Sequence, residues 1–309
     1  MIASDEVTSI RSPRVKAARQ LARRSSRQRT RLFLAEGPQA VREALAWGQV
    51  APRPGDGPRG ASGPAGADGA RGGSGQPGAD GAAGSGPLIT ELFVTAEARS
   101  RHDELTSQAA AQGVPVLAVS GQVMAELAQT VTPQGLLAVC RFIDVPLQRL
   151  TAVSPRLVVL LANVRDPGNA GTVLRTADAA GADGVVFSDA SVDPYNSKCV
   201  RASAGSLFHL PVVAGSPLRE AAAALRGAGL QILAAEGAAG RKLDELESDG
   251  ALGRPTAWLF GNEAWGLPAD LLALADQAVA VPIYGRAESL NLAAAAAVCL
   301  YASARARRS

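Results

Sequence analysis

Three polar stretches carry the side chains of this chain that could do chemistry. The first, Asn163-Val164-Arg165-Asp166-Pro167-Gly168-Asn169, follows the apolar run Leu157 to Leu161 and precedes a helical pattern from Ala170 that contains Arg175. The second, Gly261-Asn262-Glu263, follows the apolar run ending at Phe260. In the third, Tyr284, Gly285 and Arg286 lead to Ser289 and Asn291 ahead of an alanine-rich helical pattern. Amides, a guanidinium, a carboxylate and a hydroxyl at such positions suit a polar or anionic substrate, because loops at the carboxyl ends of strands and the helix N-termini after them are where open α/β proteins bind ligands. Each residue also has a plainer reading. Asn169 stands where an N-cap belongs, Glu263 could cap the helix after Pro268, and Ser289 and Asn291 could cap the last helix. Two histidines, with Cys140, Cys199 and Cys299 far apart, argue against zinc.

The elements that must position these residues follow from periodicity. Strands are expected near 157–162, 184–187, 210–213, 229–235, 256–260 and 278–281, with helices near 170–180, 216–227, 268–275 and 290–305. Alternation of this kind predicts a mostly parallel sheet covered on both faces. Ahead of it, 31–145 alternates βαβαβαβ around an interruption and predicts a small α/β domain; proline-bounded 146–155 reads as a linker. Thr8 to Arg31 reads as one basic helix, with Val15, Ala18 and Leu21 on a shared face.

Residues 1–31 hold nine basic residues against Asp5 and Glu6, a balance of +7 in a chain of net charge +3. A basic arm on a mildly acidic body suits a polyanionic partner. From Gly57 to Gly84 glycine falls at every third position. The register is collagen-like, but its few prolines and lack of apolar surface predict a disordered insert, spanning 51–87, rather than a triple helix. Unpaired cysteines and the want of an apolar leader or spanning segment predict a soluble cytoplasmic protein with no membrane association. Nucleotide-cofactor enzymes are disfavoured, because no G-x-G-x-x-G follows a strand and no G-x-x-x-x-G-K-[ST] occurs.

NVRDPGNAGTVLRTADAAG, LFGNEAWGLP and VPIYGRAESLNLAAAAAV, in this order, resemble motifs 1, 2 and 3 of the SpoU (TrmH-type) RNA ribose 2′-O-methyltransferases of the SPOUT superfamily. The likeness covers Arg156 to about Ala304, in a domain expected to span 156–309, and the first half is similar in pattern to the L30e-like substrate-binding domain often fused ahead of it. The resemblance implies an α/β trefoil-knot domain, S-adenosylmethionine as cofactor, a homodimer joined through the knot helices, and RNA rather than DNA as substrate, ribosomal RNA ahead of transfer RNA. By motif position it implies that Asn169, Arg175, Glu263, Ser289 and Asn291 form the catalytic and RNA-contacting set, and that Gly261, Val281, Ile283 and Leu290 line the cofactor pocket. Arg175 would then lower the pKa of the ribose hydroxyl and grip a phosphate, since a guanidinium is a poor proton acceptor. After the acid Glu263 many relatives have a small residue and then glycine, so Ala264-Trp265 is one departure, and the insert is a second. A relative that kept the fold and lost catalysis is the alternative, and five chemically competent motif side chains weigh against it.

Overall fold

The computed structural model describes residues 6–47 and 87–308. The collagen-like register and its expected disorder therefore lie outside the described residues. The first half forms a four-stranded sheet from β1 (Leu32–Glu36), β2 (Ile89–Val94), β3 (Val116–Ala118) and β4 (Leu136–Arg141), in the order β1-β4-β2-β3. β4 runs antiparallel to β1 and β2, while β2 and β3 pair in parallel.

The second half is a six-stranded sheet in which every pairing is parallel. Its strands are β5 (Leu157–Leu161), β6 (Gly184–Ser188), β7 (Val212–Ser216), β8 (Gln231–Ala235), β9 (Thr256–Phe260) and β10 (Gln277–Val279), in the order β10-β8-β9-β5-β6-β7. All five residues of β5 are buried. Leu157, Val159 and Leu161 enter one apolar cluster while Val158 and Leu160 enter another on the opposite face, the period-2 division of a sheet covered on both sides. From edge strand β10 the chain returns to the sheet's centre, where the C-terminal helix Leu292–Ala306 packs on the helix Pro167–Ala179 that follows β5. A trefoil knot requires such a return past strands already laid down. Buried Ala293 and Ala296 add little bulk between the two helices, and Trp258 of β9 donates its indole N–H to Ser303 at 2.9 Å, pinning the last helix to the sheet.

The two halves share one apolar cluster, which runs from Phe33 and Leu45 to Leu161 and Phe187. Polar bonds reinforce it. Tyr195 accepts from the Ile143 N–H and donates to Asp144, and Arg201 pairs with Glu36 at 3.1 Å.

Four expectations need correction. The N-terminal segment is two helices, Pro13–Gln20 and Arg24–Thr30, not one. Val15, Ala18 and Leu21 do share a buried face, but Arg27 turns inward, donates to the carbonyls of Leu21 and Ala22, and pairs with buried Asp193. Its guanidinium satisfies carbonyls that the end of the first helix leaves open, so one of the nine cations holds the fold together. Residues 146–155 are no free linker, because they contain the helix Leu147–Thr151 and Leu150 is buried in an apolar cluster of the six-stranded sheet. The N-cap of the helix after β5 is Asp166, which accepts from the Asn169 N–H at 2.7 Å, with Pro167 in the first turn. Asn169 thus lies inside that helix. The helices Ser197–Ala202 and Leu243–Ser248 were not anticipated. Among the described residues no helix is long and apolar enough to cross a membrane.

Candidate active site

Parallel strands put all their carboxyl ends on one edge, and the loops after β5, β9 and β10 meet there. Glu263 accepts from the backbone N–H groups of Arg165 and Asp166, each at 3.4 Å, and from the Asn169 side-chain amide at 3.1 Å. It makes no bond to the helix after Pro268, so the capping alternative for Glu263 falls away. Asn291 serves two ends at once. Its Oδ1 accepts from the Ala293 N–H at 2.8 Å, capping the last helix, and its Nδ2 donates to Asn169 Oδ1 at 3.1 Å.

One polar chain therefore joins the three stretches, running Ala293 N–H to Asn291 to Asn169 to Glu263. Its direction is fixed by groups that cannot reverse, because a backbone N–H only donates and a carboxylate only accepts. Both amides between them have one orientation.

Supports beneath this chain were only partly visible in the sequence. Buried Asn262 donates to the Asn163 carbonyl at 2.7 Å and accepts from the Ala264 N–H, tying the β9 loop to the β5 loop. Ser188 and Ser191, bonded to each other, accept from the N–H groups of Asn163 and Val164. Lys198, from one of the unanticipated helices, donates to Asp166 at 2.7 Å. That bond, together with the Asn169 N–H, holds the Asp166 carboxyl below the usual carboxylate range against the opposing effect of burial. Nothing in the spacing of Lys198 or Ser188 marks them, since they come from other elements.

Other site residues are not drawn into the chain. Arg175 is exposed and makes no hydrogen bond or ion pair with a described residue. Six residues beyond Asn169 on one helix, it stands about 9 Å further along and roughly two-thirds of a turn round. Ser289 is exposed and precedes the true N-cap by two residues. At Gly261 the close approach is the protein's own, because a Cβ there would lie 2.5 Å from the carbonyl carbon and oxygen of Gly266. Asn262 and Gly266 exchange both backbone hydrogen bonds at 2.9 Å, closing a tight loop over Glu263.

The segment 281–290 has a distinct character. It has no regular structure and no hydrogen bond to any described residue, and Ile283, Tyr284 and Leu290 are exposed on it. Trp265 of the neighbouring loop is exposed as well. Free backbone donors and acceptors beside apolar side chains are what a mixed polar and apolar ligand needs. Among the described residues no group of three or more His, Cys, Asp or Glu could hold a metal.

The model of the SpoU rRNA methylase family matches residues 156–301, that of RNA 2′-O ribose methyltransferase substrate binding matches 81–145, and that of an MRM3-like substrate binding domain matches 12–51. A 23S rRNA (guanosine(2553)-2′-O)-methyltransferase of Bacillus subtilis is 31% identical over 96% of this chain and 98% of its own length. The chain belongs to the SpoU family. It is an S-adenosylmethionine-dependent RNA methyltransferase that acts on a ribose 2′-hydroxyl. A 23S rRNA (guanosine-2′-O-)-methyltransferase of Bordetella pertussis is 31% identical over 71% of this chain and 90% of its own. An AdoMet-bound rRNA methyltransferase from Sinorhizobium meliloti superposes with a TM-score of 0.72 at 29% identity, over 97% of each chain. The fold is that of the SPOUT methyltransferases, with a substrate-binding domain ahead of the parallel sheet.

Proposed function

We propose that this enzyme methylates a ribose in 23S ribosomal RNA, works in the cytoplasm, and does so as a homodimer. The observation that carries the reading is the single hydrogen-bonded chain joining Asn169, Glu263 and Asn291, which gathers all three SpoU stretches at one sheet edge. The names of the Bacillus and Bordetella relatives support 23S rRNA. We assign 31–145, with the insert 51–87, and the basic segment 1–30 to RNA binding, and 156–309, entered through 146–155, to catalysis. Arg11, Lys16, Arg23, Arg24 and Arg29 are free of ion pairs with described residues and suit phosphate contacts.

S-adenosylmethionine supplies a methyl group on a positively charged sulfur, and that charge disappears as the methyl moves. The segment 281–290 fits such a group. Backbone of Val281, Ile283 and Leu290 would meet its polar edges, the exposed Ile283 and Leu290 side chains its apolar surface, and the Gly261–Gly266 loop would close one side. What remains for the protein is to orient the hydroxyl and make it nucleophilic. Asn169, held at both ends, positions the ribose or its phosphate; Glu263 fixes Asn169; Asn291 and Ser289 stand at a helix start suited to an anionic group. Arg175 lowers the pKa of the hydroxyl and grips the adjacent phosphate.

Within one protomer Arg175 stands apart from this cluster, which a two-fold assembly would explain. Val298 and Tyr301, 42% and 45% exposed, leave an apolar stripe on the last helix beside the helix bearing Arg175. A partner docked there would let Arg175 of one protomer serve the cluster of the other. Ribose-methylation mapping of 23S rRNA from cells with and without the gene tests the target. One 2′-O-methyl position should vanish with the gene; an unchanged 23S map, or a loss confined to transfer RNA, contradicts the assignment.

A further inference from the structure

Beyond the ends of β6 and β7, a cleft of about 380 Å³ lies between the catalytic sheet and the helix Arg24–Thr30. Arg24, Gln28, Arg31, Phe142 and Asp189 are among its lining residues. Neighbouring strands are about 4.8 Å apart, so β6 and β7 set this cleft roughly 5 to 10 Å to the side of the β5 loop, on the same edge. That is close enough for an RNA strand whose ribose sits at Asn169 to reach it with a flanking nucleotide.

Arg31 is the unusual lining residue. It ends the helix with φ 54° and ψ 37°, left-handed backbone that favours glycine, so an arginine there needs a use for its side chain. The guanidinium is held on two sides. Asp144 accepts from it with both carboxylate oxygens, at 2.8 and 2.9 Å, and its carbon lies 4.4 Å from the centroid of the Phe142 ring, which itself stacks on Tyr195 at 3.8 Å. Even so, the side chain remains 55% exposed. A planar cation with one edge bonded, one face covered and the other face open is a stacking platform for a nucleobase.

Beside it Asp189 is exposed, with Oδ1 accepting from the Ala190 N–H and Oδ2 uncommitted. Arg24 is exposed and makes no ion pair with a described residue. A carboxylate offers acceptors only, which selects bases rich in donors. Guanine has a ring N–H and an amino group side by side on one edge. We propose that this cleft receives an unpaired guanine flanking the methylated nucleotide, stacked on Arg31, with Asp189 accepting from its ring N–H and amino group and Arg24 on its phosphate. The inference rests on RNA being the substrate but not on which RNA it is.

Fluorescence titration with two unstructured RNA decamers, one all uridine and one with a single central guanosine, tests it without a known target. Wild type should bind the guanosine decamer about tenfold to a hundredfold tighter, the range expected of hydrogen bonds from a base to a charged acceptor. Arg31→Gly suits the backbone and should fold, yet should lose that preference and bind the two decamers alike. Arg31→Lys should lose it too, because lysine offers charge without a plane, and Asp189→Asn should narrow it. Equal binding of both decamers by wild type, or a preference that survives in Arg31→Gly or Arg31→Lys, overturns the proposal. Failure to methylate 23S rRNA would instead count against the target and leave this result standing.

Discussion

Asn291 donates to Asn169 across 3.1 Å while its own oxygen caps the helix it begins, so one side chain both starts the last helix and orients a residue in the first turn of the helix after β5. The two jobs can be separated. Asn291→Asp keeps an acceptor for the Ala293 N–H but loses the donor to Asn169. It should melt close to wild type yet turn over about 10²-fold more slowly, the scale of a small misplacement of reacting groups. Asn291→Ala loses the cap as well, which costs about 1 kcal/mol and about 2 to 4 °C in melting temperature. Calorimetry together with single-turnover rates distinguishes them.

Arg175 gives a prediction about assembly. Arg175→Ala and Glu263→Gln should each be folded and nearly inactive alone, with the first losing about 10²-fold or more in turnover. If the guanidinium serves the opposite protomer, mixing the two variants under conditions that exchange subunits should restore up to about a quarter of wild-type activity, through heterodimers with one intact site. Val298→Asp with Tyr301→Asp should yield monomers in light scattering, because a charge on an apolar contact face leaves it unpaired and desolvated. No rescue on mixing, with exchange confirmed, would place Arg175 in its own protomer's site.

At Gly261 a methyl group has nowhere to go, since the nearest atoms are backbone rather than a flexible side chain. Gly261→Ala should disrupt the paired Asn262–Gly266 loop and weaken S-adenosylmethionine binding by about tenfold or more, at a stability cost of about 1 to 3 kcal/mol. Isothermal titration against wild type measures the first, and a denaturant series the second.

His209 links the halves, with one ring nitrogen 2.7 Å from Asp178 and the other 3.0 Å from Glu43. Burial disfavours the charged ring, but hydrogen bonds to the two carboxylates outweigh it and raise the pKa above the ordinary histidine value. The folded state therefore prefers the protonated ring. Its stabilising effect is complete below the unfolded value of about 6.5 and is lost as pH rises through the raised value. Melting temperatures of wild type and His209→Gln should differ most below the unfolded value of about 6.5, and the gap should narrow as pH rises through the raised value. A gap that widens with pH would reverse the assignment.

Much of the catalytic half was legible because its signals are local. Buried parallel strands leave continuous apolar runs, and β5 and β9 fall within one residue of their expected bounds. The short polar breaks after them could hardly be anything but loops at one sheet edge. Local signals mislead where a long-range partner decides. Asn169 reads as an N-cap in isolation, but Pro167 starts the helix earlier and Asp166 takes that role. Arg27 looks like one more solvated cation until Asp193, far away in sequence, draws it inside. The helix Ser197–Ala202 is too short for its periodicity to register, and with it went Lys198 and the bond that holds Asp166.

The most direct test of the account is nucleoside analysis after reaction. Purified enzyme, S-adenosylmethionine and ribosomal RNA from cells lacking the gene are incubated, and the RNA is digested and resolved by mass spectrometry. The account predicts one new 2′-O-methylnucleoside with wild type and essentially none with Arg175→Ala or Asn169→Ala, both still binding cofactor. A methyl group on a base, or full ribose methylation by those variants, would contradict it.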